Sequence, residues 1–222
     1  MVGLPFEDRV EAGQILASQL RAYADRADVV VLALPRGGVP VGFEIAQALR
    51  APLDVMIVRK LGVPGHEELA LGAIASGGVR VLNERLVEDL ALSPGAIESI
   101  ARRQQVELER REKLYRGGRP PMDVAKQVVI LVDDGIATGS TMRAAIQALR
   151  QQEPARIVLA VPVAPPSVCV EMEGMADELL CLAQPTGFFA VGQWYRDFSQ
   201  TTDEQVRNLF ERANRVPVHN LM

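Results

Sequence analysis

Residues 128–141 read VVILVDDGIATGST and carry the clearest structural signal in the chain. Five aliphatic residues in a row are typical of a strand that is buried in a parallel sheet. Asp133 and Asp134 follow directly, and the carboxyl end of a strand is where ligands bind in open α/β sheets. Gly135 allows a turn, and residues 137–141 are suited to begin a helix, whose free N–H groups bind phosphate. The stretch therefore predicts acceptors for hydroxyl groups beside donors for a phosphate.

A simpler interpretation is that the two acids only end a strand and that the hydroxyl side chains only cap a helix. The grouping of two acids, two glycines and three hydroxyl residues in one short stretch argues against it. Two other phosphate-binding motifs do not fit. No lysine precedes Ser140, as a Walker A loop requires, and the G-x-G-x-x-G pattern is absent from this stretch.

Further apolar runs predict the rest of a sheet. With 127–132, the strand candidates are 28–34, 54–60, 156–161 and 178–182, and a shorter one lies at 79–83. Amphipathic patterns predict helices at about 8–24, 40–49, 94–115, 140–151, 167–174 and 202–213. Strands joined by helical crossovers indicate an α/β fold: one domain over 1–222 with a twisted, parallel, five-stranded sheet and helices on both faces.

Composition narrows the class of protein. The chain is 48% hydrophobic and 23% charged, with a formal net charge of -4, which argues against a general nucleic-acid binder. Cys169 and Cys181 lack the spacing of a zinc site and are expected to be buried thiols in a reducing compartment. No apolar run approaches the ~18 residues of a membrane helix, and the first residues lack the pattern of a signal peptide. We therefore expect a cytoplasmic protein.

The stretch 128–141 resembles the signature of type I phosphoribosyltransferases, which bind 5-phosphoribosyl-1-pyrophosphate (PRPP). The resemblance implies that Asp133 and Asp134 accept hydrogen bonds from the ribose hydroxyls and that residues 137–141 hold the 5-phosphate. The PRPP-binding set that it implies is Asp133, Asp134, Gly135, Ile136, Ala137, Thr138, Gly139, Ser140 and Thr141. It also implies Mg²⁺, held mainly by oxygens of the ligand, with no dedicated metal site on the protein.

A pyrophosphate site follows from the same resemblance. The segment LPRGG (34–38) stands where the family has its pyrophosphate loop, so Arg36, Gly37 and Gly38 are expected to bind pyrophosphate. A cis peptide is expected at Leu34–Pro35 or Pro35–Arg36. Arg59 and Lys60, expected at the end of the second strand, are assigned to the same group. Arg36, Lys60 and Asp134 are the catalytic candidates. The alternatives are a Gly-Gly turn with a surface arginine and an exposed basic pair.

The resemblance also assigns the remaining segments. Residues 61–122 are expected to form a mobile loop, containing His66, followed by a helical insertion, and residues 184–222 a small C-terminal hood. Within GFFAVGQWY (187–195), Phe189 and Trp194 are candidates for stacking on an acceptor base, and Tyr195 is a further one. Packing of these rings in the core is the alternative.

The implied activity is transfer of phosphoribosyl from PRPP to a nitrogenous acceptor, with purine-like bases among the candidates, as in nucleotide salvage. Ala137 stands where members acting on 6-oxopurines have an aspartate, so hypoxanthine and guanine are not expected acceptors. Neither DNA nor a membrane is an expected partner, and the family implies a homodimer. The alternative function is a PRPP-binding regulator without transferase activity, which would use the arginine-rich segment 102–119 to bind RNA.

Overall fold

A computed structural model of the chain describes residues 3–63 and 66–214. The strands in this part are β1 (Val29–Ala33), β2 (Leu53–Val55), β3 (Val58–Val63), β4 (His66–Ala75), β5 (Val79–Leu82), β6 (Val128–Val132), β7 (Arg156–Val163) and β8 (Glu178–Ala183). The α-helices are α1 (Arg9–Gln19), α2 (Gly38–Leu49), α3 (Glu84–Asp89), α4 (Pro94–Arg116), α5 (Ser140–Arg150), α6 (Pro166–Glu173) and α7 (Asp203–Ala213). None of the described helices is long and apolar enough to cross a membrane.

Five strands form the main sheet in the order β2-β1-β6-β7-β8, and all of its neighbouring strands are parallel. β1 lies between β2 and β6, with Ala33 opposite both Val55 and Val132. Because the strands are parallel, the loops that follow β1 and β6 leave the sheet at the same edge. The predicted parallel five-stranded sheet is confirmed.

Helices cover both faces of this sheet, as predicted. Along β1, Val29, Val31 and Ala33 pack into one apolar cluster, whereas Val30 and Leu32 pack into another. The first cluster contains buried residues of α1, α2, α4 and α7, and the second contains those of α5 and α6. Alternate residues of a strand point to opposite faces, so each cluster marks one face of the sheet.

The second predicted strand, 54–60, was wrong in extent. β2 ends at Val55, and Arg59 and Lys60 lie inside β3, which belongs to a separate antiparallel sheet of order β3-β4-β5. The chain changes sheet at Met56 and Ile57, where the Ile57 N–H donates to the Ser76 hydroxyl at 3.0 Å. Both pieces are largely apolar, so an unbroken hydrophobic run could not show the boundary between them.

Residues 61–122 were expected to be a loop and a helix, with a short strand at 79–83 that is confirmed as β5. Their described part contains the rest of β3, then β4 and β5, and the helices α3 and α4. Residues 64–65 lie outside the described part, and the mobility of the segment stays a prediction. The amphipathic helix predicted at about 94–115 is confirmed as α4, whose residues Ile97, Ile100, Ala101 and Leu108 are buried.

The C-terminal tail packs against the N-terminal segment of the chain. The Phe6 N–H donates to the Trp194 carbonyl at 2.9 Å, and Phe6 forms a β-bridge with Tyr195. α7 begins with a capping box, in which Thr202 and Gln205 each bind the other's backbone. The predicted hood, 184–222, lies within the described residues only as far as 214.

Candidate functional site

Asp133 and Asp134 lie at the carboxyl end of β6, as predicted. The Asp133 Oδ1 accepts a hydrogen bond from the Asp134 N–H at 2.8 Å. Removal from water, together with the negative charge of Asp134, raises the pKa of Asp133 well above its ordinary value. Burial also raises the pKa of Asp134, although hydrogen bonding to Arg9 opposes that rise. The pair is therefore a concentrated negative charge in a poorly hydrated place.

Arg9, the first residue of α1, binds Asp134. Its Nε donates to the Asp134 Oδ2 at 2.7 Å, and the two side chains are only 11% and 13% exposed. Its Nη1 donates to the Ser199 carbonyl at 2.8 Å, and its guanidinium lies 3.9 Å from the centre of the Phe198 ring. The Tyr195 hydroxyl donates to the main-chain oxygen of Asp134 at 2.6 Å. The start of the chain and its tail thus meet at this acid.

The Pro-Arg-Gly-Gly loop packs directly against the two acids. A Cβ on Gly37 would lie 1.9 Å from the Asp134 Oδ2, and one on Gly38 would lie 2.9 Å from the Asp133 Cα. The backbone contact excludes a side chain at Gly38, and a side chain at Gly37 would displace the Asp134 carboxylate. The Pro35–Arg36 peptide bond is cis, which confirms one of the two candidates. The structure therefore brings together two segments that lie far apart in sequence.

The opening of α5 is exposed toward the same edge of the sheet. Gly139 is its N-cap residue with φ +75°, a left-handed conformation that favours glycine. No side chain caps the helix, and Ala137, Thr138 and Thr141 are exposed. The hydroxyl oxygens of Thr138 and Ser140 lie 3.4 Å apart. Uncapped N–H groups and nearby hydroxyls are suited to hold an anion at a helix N-terminus.

Arg36 is connected to two helices that the sequence analysis did not link to the site. Its Nη1 lies 3.8 Å from the Asp203 Oδ1, at the start of α7. The same oxygen accepts a hydrogen bond from the Tyr115 hydroxyl of α4 at 2.7 Å. Burial and the bond to Asp203 raise the pKa of Tyr115 to about 12, so this phenol stays protonated at neutral pH. Asp203 thus forms an ion pair with Arg36, and Tyr115 binds the carboxylate of Asp203.

The structure does not bring Arg59 and Lys60 into this group. The Arg59 Nε donates to the Gln104 Oε1 of α4 at 3.0 Å, and Lys60 is exposed. Within residues 3–63 and 66–214, no hydrogen bond or ion pair joins either side chain to 34–38 or to the two acids. A role for this basic pair toward pyrophosphate therefore stays a prediction.

The aromatic candidates divide into exposed and packed rings. Phe189 is 89% exposed and free to contact a ligand. Trp194 is partly buried, with its ring 5.9 Å from that of Phe188, and its Nε1 is buried without a hydrogen-bond partner among the described residues. Tyr195 is buried beside Phe6 and Phe198. Tyr195 is packed between neighbouring rings, whereas stacking on a base stays a prediction for Phe189 and Trp194.

A metal ion would find few protein ligands here. The described residues contain no group of three or more His, Cys, Asp or Glu side chains arranged to hold one. The requirement for Mg²⁺ stays a proposal.

Comparison with known proteins shows the family to which this fold belongs. Residues 7–192 match the family model "Phosphoribosyl transferase domain", and the chain belongs to this family. Among individual relatives, it is 50% identical over 210 residues to "Putative phosphoribosyl transferase Rv0571c" of Mycobacterium tuberculosis (strain ATCC 25618 / H37Rv). That match covers 95% of this chain and 47% of the relative, so the chain spans about half the length of that protein.

Two other similarities extend the comparison. "Bifunctional protein PyrR" of Bacillus cereus (strain B4264) is 33% identical over 127 residues, which cover 54% of this chain and 69% of that one. Among solved structures, TT1426 from Thermus thermophilus has a TM-score of 0.83 and 42% identity, covering 93% of this chain and 98% of its own. The similarity to TT1426 thus extends over nearly the whole of both chains.

Proposed function

We propose that this protein transfers the 5-phosphoribosyl group of PRPP to a nitrogenous acceptor and releases pyrophosphate. The observation that carries the proposal is the direct packing of Gly37 and Gly38 on Asp133 and Asp134, beside the uncapped opening of α5. PRPP has the matching order of groups: a pyrophosphate, a ribose with two hydroxyls, and a 5-phosphate. The loop, the acids and the helix opening offer binding groups for these three parts.

The chemistry requires mainly orientation and electrostatic stabilisation. The acceptor nitrogen attacks the anomeric carbon as the bond to pyrophosphate breaks, and positive charge develops on the sugar. Correct positioning of two reactants can contribute about 7–11 kcal/mol to catalysis. Arg36 and the amides of the 34–38 loop are placed to stabilise the leaving pyrophosphate. Mg²⁺ would supply further positive charge to the phosphates.

The class of acceptor is proposed from two residues, Phe189 and Ala137. Phe189 offers an exposed ring on which a planar base can stack, and Ala137 offers no carboxylate toward it. An acceptor that needs no acid at this place, such as a base of the adenine type, is the best supported. Nicotinic, pyrimidine and 6-oxopurine bases belong in the same screen as comparisons.

Binding of PRPP tests the site assignment. The double variant Asp133→Asn/Asp134→Asn removes both charges with little change in shape. Because buried polar groups specific for sugar hydroxyls are lost, we expect PRPP with Mg²⁺ to bind at least about 100-fold more weakly by calorimetry. Asp89→Asn, an exposed acid in α3, is the matched control and should bind as the wild type does. Equal affinities in the wild type and the double variant would exclude this site.

Catalysis is tested separately, by release of pyrophosphate from PRPP across a panel of nitrogenous bases. A base that supports release in the wild type, but not in the double variant, identifies the acceptor class. PRPP binding without release for any base would favour the regulatory alternative.

That regulatory alternative has weaker structural support. In α4, Arg110 and Arg111 both pair with Glu107, and Arg116 is buried in contact with Asp54. The positive charge available for RNA from 102–119 is therefore smaller than the sequence indicates. A salt-titrated RNA-binding assay measures what is left, because phosphate contacts weaken as salt rises.

A further inference from the structure

Asp134 has fewer free acceptor sites than the sequence motif indicates. One of its carboxylate oxygens, Oδ2, accepts from Arg9, and its main-chain oxygen accepts from Tyr195. Gly37 packs against the same Oδ2, so that oxygen faces the loop and the arginine. The other carboxylate oxygen, Oδ1, takes no part in the bond to Arg9, and a Cβ on Gly37 would lie 3.0 Å from it. The two adjacent acids are thus inequivalent: Asp134 is paired with a cation, and Asp133 is not.

The charge of the ligand makes this pairing important. PRPP carries a phosphate monoester and a pyrophosphate, so it is a strong polyanion. Two unpaired carboxylates in a poorly hydrated place would repel it, because Coulomb interactions strengthen where water is excluded. Arg9 offsets one of the two negative charges, and its Nε and Nη1 donate to Asp134 and Ser199 while its guanidinium lies over the Phe198 ring.

We propose, on the basis of the function proposed above, that Arg9 is a positioning residue for PRPP binding. It holds Asp134 as an ionised and fixed acceptor for one sugar hydroxyl and reduces the repulsion between the acid pair and the ligand. Arg9 begins α1, and its second contact is to the tail at Ser199. The two ends of the described chain thereby set the geometry of a motif in the middle of it.

The groups around Asp134 define how its binding should depend on pH. Asp133 adjoins it on the chain, Arg9 faces it from the start of α1, and Tyr195 faces it from the tail. Burial raises the pKa of Tyr195, so this phenol stays neutral. Arg9 is therefore the cation in this group that favours ionised Asp134. Its loss should raise the pKa of Asp134, so that protonation impairs PRPP binding at a higher pH than in the wild type.

Substitution of Arg9 provides the test. Arg9→Met should weaken binding of PRPP with Mg²⁺ by at least about tenfold at neutral pH. It should also move the acid limb of the affinity profile to higher pH. Arg9→Lys keeps the charge but replaces the two nitrogens that bind Asp134 and Ser199 by a single one, so we expect weaker binding with an acid limb close to that of the wild type. Calorimetry across the acid and neutral range measures both quantities.

A double-variant cycle separates positioning from a merely structural role. In the Asp134→Asn background, Arg9→Met should have little further effect on the affinity for PRPP, because the carboxylate that Arg9 positions is already gone. A structural role would instead give the same fold-loss in both backgrounds and an unmoved acid limb, which would overturn the proposal. Arg196→Met is the matched control, since the Arg196–Glu7 pair at 3.4 Å joins the same two segments on an exposed surface.

The outcomes distinguish this inference from the function on which it rests. If the wild type does not bind PRPP, the proposed function and the proposed role of Arg9 are both wrong. If the wild type binds and Asp133→Asn/Asp134→Asn binds weakly, while Arg9→Met keeps the wild-type affinity and pH profile, only the role of Arg9 falls. Should Arg9→Met fail to fold, unchanged affinity in Arg9→Lys would overturn the proposal in the same way.

Discussion

Asp133 is a residue whose binding role conflicts with its contribution to stability. Burial and the adjacent Asp134 raise its pKa in the folded protein, whereas the unfolded chain restores the ordinary value. Ionisation therefore favours the unfolded state. The resulting loss of folding stability is absent below the ordinary carboxyl pKa. It grows as the pH rises toward the raised pKa of Asp133 in the folded protein. At neutral pH, the fold retains an acid that destabilises it.

Asp133→Asn should consequently stabilise the protein at neutral pH. The amide oxygen can still accept from the Asp134 N–H, so the main change is the loss of charge. We expect a rise in Tm of roughly 2–4 °C, the shift that about 1 kcal/mol produces in a chain of this size. The difference from wild type should shrink as the pH falls below the ordinary carboxyl pKa.

Thermal unfolding at a series of pH values measures this effect, with Asp89→Asn as the control for an exposed acid. A variant that is less stable than the wild type at neutral pH would show that the charge of Asp133 is not a burden on the fold.

The residues of the site differ in how well sequence predicts them. Asp133, Asp134 and the glycines of 34–38 lie in short motifs, because a strand end and its following loop place them together locally. Arg9, Tyr115 and Asp203 contact the site only through the tertiary fold, and Arg9 is 125 positions from Asp134. No local pattern distinguishes these three from other polar residues of the chain, so sequence reasoning did not find them.

The helix α4 is fixed at its C-terminal end by a buried ion pair. The Arg116 Nε donates to the Asp54 Oδ1 at 2.8 Å, and the two side chains are 3% and 2% exposed. Arg116 also donates to the Val55 carbonyl at 2.8 Å and to Glu112 at 2.7 Å. Asp54 and Val55 belong to β2, so these contacts attach the inserted helix to the edge strand of the main sheet. Tyr115, which supports Asp203 and Arg36, is the preceding residue.

Arg116→Met should therefore destabilise the protein severely. It leaves the Asp54 carboxylate buried without its cation, a change that costs about 3–5 kcal/mol. Urea unfolding measures the loss. Arg103→Met, at an exposed position of the same helix, should stay within about 0.5 kcal/mol of the wild type. Adding Asp54→Asn to Arg116→Met should recover part of the stability; further loss instead would contradict the buried-charge explanation.

Among the elements, those with a strong hydrophobic pattern were predicted well. The strands at 28–34, 127–132, 156–161 and 178–182 and the helix at 94–115 agree with the structure to within a few residues. The strand at 54–60 and the loop at 61–80 were not predicted well, because the pairing of strands in a second sheet depends on partners elsewhere in the chain. The register of β3 with β4, for example, places Arg59 opposite Ile74, and the apolar pattern does not encode this pairing.

The N-terminal segment and the tail contact each other and the acid pair on one side of the site. The bridge between Phe6 and Tyr195, the Arg9–Asp134 pair and the Tyr195 contact to Asp134 form one connected group of contacts. The N-terminal segment and the tail therefore both contact the acid pair. Any change in the acids on ligand binding is expected to be transmitted to residues 191–199.

Trp194 lies in that segment and is the one tryptophan of the chain. Its carbonyl is bonded to Phe6, and its ring lies against Phe188. Excitation at the red edge of protein absorbance thus reports on a single position, one residue from the tyrosine that contacts Asp134. We expect PRPP to change the emission of the wild type and of Asp89→Asn, but not that of Asp133→Asn/Asp134→Asn. The molecule thus contains its own optical probe, and ligands can be screened by fluorescence titration without a dye.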